Sequence, residues 1–214
     1  MIYDFCKRVL DVLMALILLV VFSPIFIIVP ILIKLDSPGP VFADIPMRVG
    51  KNRRLFRMYK FRTMIANAHR LLKTDPHFRS LYEKYKKNSY KLSLKTDPRI
   101  TKVGRILRRF SLDELPQIFN ILEGEMSITG PRAYYPDELK NQQQIYPQSK
   151  KHIEELLRVK PGITGYWQVT GRSEINFDKR VGMDAFYARE KSLLRDIIII
   201  LKTPWMMLSG KGAV

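Results

Sequence analysis

The sequence predicts a predominantly helical α+β fold: an N-terminal membrane segment over residues 1–36, then one compact domain over residues 37–214. Three observations carry this expectation. Val12 to Ile33 is an unbroken uncharged run, VLMALILLVVFSPIFIIVPILI. Residues 97–122 repeat apolar positions at helical spacing. Only residues 55–64, LFRMYKFRTM, alternate as a half-buried strand does, which predicts one small β element.

The apolar run would make roughly 33 Å of helix at about 1.5 Å per residue, enough to cross a bilayer. Its length favours a spanning helix. Ser23-Pro24, at its centre, favours a kink, because proline removes a helical hydrogen bond. Lys7 and Arg8 flank one end and Lys34 the other, so the positive-inside tendency pulls both ends to the cytoplasmic side. A bent helix entering and leaving one leaflet meets both conditions if Ser23 or neighbouring groups repair the broken bonding.

Asp36-Ser37-Pro38-Gly39-Pro40 is a turn that releases the chain from the apolar segment. In the strand that follows, Tyr59 and Phe61 oppose Lys60 and Arg62; Lys60 suits a solvated strand face or a phosphate contact equally. Residues 65–95 are polar and helical in character. Their basic, tyrosine-bearing stretch LYEKYKKNSYKLSLK reads as a solvated or lipid-facing helix without chemistry.

Residues 97–132, DPRITKVGRILRRFSLDELPQIFNILEGEMSITGPR, are the most informative. Asp97-Pro98 suits a helix start. Ile100, Val103 and Leu107 would then form one face and Arg99, Lys102, Arg105 and Arg109 a cationic stripe. Ser111 to Glu114 matches a capping box before Leu115, Ile118, Phe119 and Leu122, although Pro116 shifts the helix start slightly later. Asp113 then sits near a helix N-terminus, where negative charge is favoured. Asp113 and Glu114 are either plain caps or, beside so many cations, a site for an anionic, metal-bound substrate.

Lys160 to Arg172, KPGITGYWQVTGR, places Gly165 and two further glycines before Arg172. Such loops allow close backbone approach to phosphates but are more often structural. Ile197 to Leu201 and Pro204 to Leu208 are apolar around Trp205, as in a buried strand or a helix lying in a membrane interface.

Composition narrows the function class. A net charge of +17, with 37 Lys and Arg against 20 Asp and Glu, implies an anionic partner. A nucleic-acid binder would explain the charge but not the 22-residue apolar run or the acid pair, and no base-stacking signature appears. Cys6 alone forms no internal disulfide, and His69, His77 and His152 lack transition-metal spacing. A non-catalytic membrane scaffold would explain the anchor while leaving the carboxylates without a role.

Several motifs together resemble one family. Lys7-Arg8-x2-Asp11, Ser23-Pro24, SPGP at 37–40, YKFRTM at 59–64, DPRITKVGRILRRFSLDELPQ, N-x-L-x-G-x-M-S-x-x-GPR and KPGITG-x-WQV-x-GR occur in order over nearly the whole chain. The sequence resembles bacterial sugar transferases of the monotopic phosphoglycosyl transferase type, at the length of their minimal catalytic core. The resemblance implies transfer of a sugar-1-phosphate from a UDP-sugar to polyprenol (undecaprenyl) phosphate with release of UMP. It implies a phosphosugar intermediate on Asp113, with Glu114 beside it, and ping-pong kinetics. It carries Lys60, Arg108, Arg132 and Asp184 as active-site positions, with Asp113 and Asp184 toward Mg2+. It turns the apolar segment into a re-entrant helix bent at Ser23-Pro24, with interfacial helices around a catalytic domain on the cytoplasmic face of the bacterial inner membrane. A homo-oligomer stays compatible with it. Residues 65–100 are more similar to relatives that transfer a hexose-1-phosphate; an N-acetylated or diacetamido sugar is the alternative. Ala133 stands where the family has proline, which would loosen Arg132, and Val214 and the MDAFYARE stretch also depart from the pattern.

Overall fold

The computed structural model describes residues 2–87, 92, 96–170 and 175–208. The apolar run forms two helices, α1 (Ile2–Val21) and α2 (Ser23–Asp36), bent by 61° at Phe22. Among the described residues no single helix is long and apolar enough to cross a membrane, whereas the bent pair is so in length and composition. Pro24 lies in the first turn of α2, where its missing N–H costs nothing. The Ser23 hydroxyl donates to the Val20 carbonyl at 2.8 Å, which meets one of the acceptors the break exposes. α1 turns Lys7, Asp11 and Ala15 inward at four-residue intervals, while Phe5, Leu13, Ile17 and Val20 face out.

The turn after α2 is tied to the strand region by Arg62, whose guanidinium donates to the Ser37 and Pro38 carbonyls, both at 2.6 Å. β1 (Arg48–Val49) and β2 (Leu55–Phe56) form a short antiparallel pair. The strand expected over 55–64 is confined to its first two residues. Beyond them Tyr59 N–H donates to the Asn120 side chain, which in turn donates to the Arg57 carbonyl. Phe61 and Met64 make only isolated bridges, to Phe42 and Ile100. Beyond Tyr59 the backbone bonds go on one side to Val41 and Ala43 and on the other to Asp113, so no regular ladder forms and the expected alternation fails: Phe61 and Arg62 are both buried.

α3 (Ala68–Thr74) and α4 (Arg79–Lys87) follow, then α5 (Lys102–Arg109). α5 starts later than Asp97-Pro98 suggests. Thr101 caps it by accepting from the Gly104 N–H, while Asp97 is occupied by Arg99 at 2.7 Å. Arg99 is therefore buried and absent from the exposed cationic face of Lys102, Arg105 and Arg109. The capping box at Ser111 does not form either. Ser111 adopts φ 55° without a side-chain cap and opens a 3-10 turn, Leu112–Glu114, leading into α6 (Gln117–Glu123). Asp113 thus lies in the turn that feeds α6.

β3 (Ser127–Thr129) pairs in parallel with β4 (Gly162–Thr164) across a crossover through α7 (Pro136–Ile145) and α8 (Ser149–Leu156). α9 (Tyr166–Thr170), α10 (Phe177–Arg189) and α11 (Leu193–Leu208) complete the described residues. The buried-strand reading of residues 197–208 gives way to a helix, α11, with Leu194, Leu201 and Trp205 exposed. Ala15 of α1 packs with Phe56, Ile118, Ile121 and Ile128 in one core cluster. Ile118 and Ile121 are essentially fully buried, each stabilising the fold by about 1.5–3 kcal/mol. Val29 and Ile33 of α2 pack on Phe61 and Leu107. The two helices of the apolar run are therefore built into the core that carries the acid pair.

Candidate active site

The 3-10 turn sets Asp113 and Glu114 on the wall of a cavity of about 390 Å3. This lies within the range of roughly 300–1,000 Å3 usual for small-molecule sites. The cavity is strongly cationic: Arg48, Lys60, Arg62, Arg99, Arg108 and Arg132 all line it. Arg62 and Arg99 are committed to the turn carbonyls and Asp97, which leaves Lys60, Arg108, Arg132 and Arg48 to face a ligand.

Each side chain is fixed by its neighbours. Phe61 N–H donates to the Asp113 carbonyl at 3.0 Å, which docks the acid turn on the segment bearing Lys60. Lys60 Nζ lies 2.5 Å from Glu114 Oε1 and 3.8 Å from Asp113 Oδ2. Arg108 reaches in from the end of α5, its Nε donating to Thr63 Oγ1 at 2.9 Å. That approach requires Gly104, where a Cβ would sit 2.0 Å from the Thr63 carbonyl oxygen. Arg132 lies over the Trp167 ring at 5.9 Å, and its backbone N–H donates to Asp184 at 3.1 Å.

The two carboxylates differ. Burial raises the Asp113 pKa, with Lys60 acting against that effect. Glu114 is also penalised by burial, but the charge and hydrogen bond of Lys60, with Arg132 and Arg48, hold it below the usual value. Glu114 is thus clamped as an anion, while Asp113 stands beyond hydrogen-bonding distance of the same ammonium. His69, also on the wall, has its pKa pushed down to about 4 by burial and then by Lys73 and Arg99, so it stays neutral near pH 7.

The structure therefore brings Lys60, Arg108, Asp113, Glu114 and Arg132 together around one cavity. Asp184 is fully buried and is not among its lining residues. It accepts from the Arg132 N–H and from Tyr134 Oη at 2.8 Å, while burial lifts its pKa to about 7. Ala133, in place of the family proline, leaves Arg132 held by this Asp184 bond, and Arg48 donates to the Ala133 carbonyl at 2.9 Å. Gly165 lies beside the β3–β4 pair, where a Cβ would meet the Gly130 carbonyl oxygen at 2.2 Å; its role in the fold is close backbone packing. Ser23 and Pro24 sit at the helix bend, away from the cavity wall. Arg172 and Val214 lie outside the described residues.

Sequence reasoning passed over Arg48. It is 5% exposed and stacks 3.3 Å from the centre of the Tyr135 ring, in a stretch (IPMRVG) with no periodicity to mark it. A lone arginine inside an apolar run was the available signal.

Comparison with known proteins places the chain in a family. The chain is 42% identical over 207 residues to the exopolysaccharide production protein ExoY of Sinorhizobium fredii, covering 97% of this chain and 87% of that protein. It is 39% identical over 213 residues to the undecaprenyl-phosphate galactose phosphotransferase of Salmonella typhimurium, covering 98% of this chain and 42% of the relative. A UDP-N-acetylgalactosamine-undecaprenyl-phosphate N-acetylgalactosaminephosphotransferase of Aeromonas hydrophila is 37% identical over 218 residues, 99% of this chain and 46% of its own length. The chain thus spans less than half of these last two relatives. The profile of the bacterial sugar transferases matches residues 2–210, and the chain belongs to that family.

Proposed function

We propose that this protein transfers a sugar-1-phosphate from a UDP-sugar to polyprenol phosphate, releasing UMP, as a membrane step of bacterial polysaccharide assembly. The observation that carries this reading is the asymmetric acid pair in a cavity of cations. A diphosphate donor needs charge neutralisation, which Lys60, Arg108, Arg132 and Arg48 supply, and a nucleophile placed among them. Asp113 is that nucleophile. Its carboxylate oxygen attacks the phosphorus bearing the sugar, and the bond from that phosphorus to the bridging oxygen breaks, so UMP departs with the bond electrons. A phosphate oxygen of the polyprenol phosphate then attacks the same phosphorus and restores the Asp113 carboxylate, giving ping-pong kinetics. Poor solvation of Asp113 favours the attack, while Glu114 holds Lys60 beside the developing charge.

The residues fit a hard divalent ion that shares its shell with substrate. Two adjacent carboxylates line the cavity, and among the described residues no three acidic, His or Cys groups form a cage by themselves. Mg2+ commonly uses one or two carboxylates plus substrate phosphates. Asp113 and Glu114 would hold it, and it would neutralise the diphosphate. Asp184 acts from behind, on the Arg132 backbone.

The bent α1–α2 pair supports a re-entrant topology on the cytoplasmic face of the inner membrane. Its outward residues are apolar, its inward ones are packed in the catalytic core, and both ends are basic. A cysteine placed at residue 2, in a Cys6→Ser background, should resist a membrane-impermeant thiol reagent on intact cells; strong labelling would show a spanning helix.

The donor is a UDP-hexose in this reading, with an N-acetylated or diacetamido sugar as alternative. UMP release measured with UDP-glucose, UDP-galactose and N-acetylated UDP-sugars, in polyprenol phosphate and Mg2+, tests both function and donor. One donor should dominate, and donor alone should leave a phosphosugar on the Asp113 peptide. Absence of UMP with every donor, or an adduct on Glu114, would overturn the assignment.

A further inference from the structure

A second cavity, of about 310 Å3, lies between the first turns of α1, the β1–β2 turn, the loop into β4 and the α10–α11 turn. It shares no lining residue with the acid-pair cavity. Five cations line it: Lys7, Arg8, Lys51, Lys160 and Lys191. Three carboxylates oppose them: Asp4 and Asp11 on the wall, and Asp196 at 3.6 Å from Lys7. Two positive charges are therefore in excess.

The partners show where the excess sits. Lys7 pairs with Asp11 at 2.8 Å and Lys191 with Asp4 at 3.0 Å. Arg8 donates to the Ile121 and Leu122 carbonyls, which engages two of its five N–H donors and leaves its charge unpaired. Among the described residues, neither Lys51 nor Lys160 has a carboxylate partner. Lys160 Nζ and Arg8 Nη2 converge: a Cβ placed on Gly124 would lie 3.6 Å from the first and 3.8 Å from the second. Burial, then the charge of Arg8, holds the Lys160 pKa below its ordinary value, with Lys51 acting in the same direction and Asp11 against it. Like charges kept this close are stabilised by an anion between them.

We propose that this cavity is a second binding site, for a phosphate group carried by a membrane lipid headgroup or arriving as a free ion. A phosphate offers several strong acceptor oxygens, enough for two ammonium groups and a guanidinium at once. A lipid source is accessible because Ile2 and Phe5, 82% and 71% exposed, flank Tyr3 and Asp4 of the cavity wall on the same turns of α1. Basic pockets beside membrane helices hold anionic headgroups in this manner. The inference stands independently of the transfer reaction.

Acetylation of lysines in the detergent-solubilised full chain, read by peptide mass spectrometry, tests it. Exposed Lys140 on α7 serves as internal reference. Inorganic phosphate and short-chain dihexanoyl-phosphatidylglycerol are the two probes, with sodium chloride at matched ionic strength as control. A probe at about ten times its Kd should slow Lys160 acetylation about tenfold, because only the free fraction reacts, and leave Lys140 unchanged. Protection by both probes assigns a phosphate site open to free ions; protection by the lipid alone assigns a headgroup site. Lys51→Glu, in an exposed turn, should abolish the protection. Absence of selective protection by either probe, or protection that survives Lys51→Glu, would overturn the proposal.

Discussion

Two clusters in this molecule contain one lysine and two carboxylates, and they are built to opposite ends. In the first, Lys7 meets Asp11 and Asp196, and the carboxylate oxygens are filled. Asp11 accepts from Lys7, the Ser127 hydroxyl and the Ile128 N–H. Asp196 accepts from Thr129, Tyr187 and Tyr3. In the second, Lys60 clamps Glu114 and stands 3.8 Å from Asp113. A filled network fixes α1 and α11 onto β3. An unfilled one, open to a cavity, keeps an oxygen for chemistry. The distinction lies in satisfaction and not in charge, since each cluster holds one lysine and two carboxylates.

The sharpest break between them is at the free carboxylate. Asp113→Asn keeps shape but removes the attacking charge, so UMP release should fall by several orders of magnitude with unchanged circular dichroism. Undiminished turnover would move the chemistry elsewhere. Removing the lysine from each cluster gives the next contrast. Lys60→Met should lower kcat/KM by about 10²–10³, the usual cost of losing one preorganised donor, with little change in melting temperature. Lys7→Met should do the reverse. Two buried carboxylates would face each other without their cation, costing about 3–5 kcal/mol of stability in chemical denaturation, with turnover per folded molecule near wild type. If Lys7→Met abolished turnover while leaving stability intact, the assignment of the two clusters would be inverted.

The smallest effect concerns Asp184. Its folded pKa of about 7 exceeds the ordinary 3.8, so between those values the folded state binds more protons than the unfolded one. Its contribution to stability is therefore full below the unfolded value and is lost as pH rises toward 7. Asp184→Asn should flatten the decline in melting temperature across that window; an unchanged slope would remove Asp184 from the account.

The acid pair was legible because carboxylates beside many cations concentrate around a turn, whereas Lys60, Arg108 and Arg132 became site positions only through the family resemblance. The helix break was legible because Ser23-Pro24 interrupts an apolar run. What was hidden depends on distant contacts. Thr101, not Asp97, caps α5, because Arg99 claims Asp97. Residues 57–64 lose their strand because their backbone groups go to scattered partners: Asn120 takes those of Arg57 and Tyr59, and Asp113, Val41, Ala43 and Thr101 take those of residues 60–63. The pairing of Lys7 and Asp11 with Thr129 and Ser127 spans more than a hundred residues and leaves no local signature.

The Arg8 bonds to Ile121 and Leu122 also set an order of biogenesis. The last carbonyls of α6, the helix fed by the acid turn, are completed by a side chain 113 positions earlier. At synthesis rates of about 5–20 residues per second, α1 must wait roughly 6–23 seconds for that partner to be made. During that interval its cations are without these carbonyl partners, and the acid turn at 112–114 is made only shortly before them. In the topology proposed above, ribosome-bound chains stalled before residue 121 should already be anchored, and α6 would acquire its final C-terminal bonds only on a helix delivered to the bilayer beforehand.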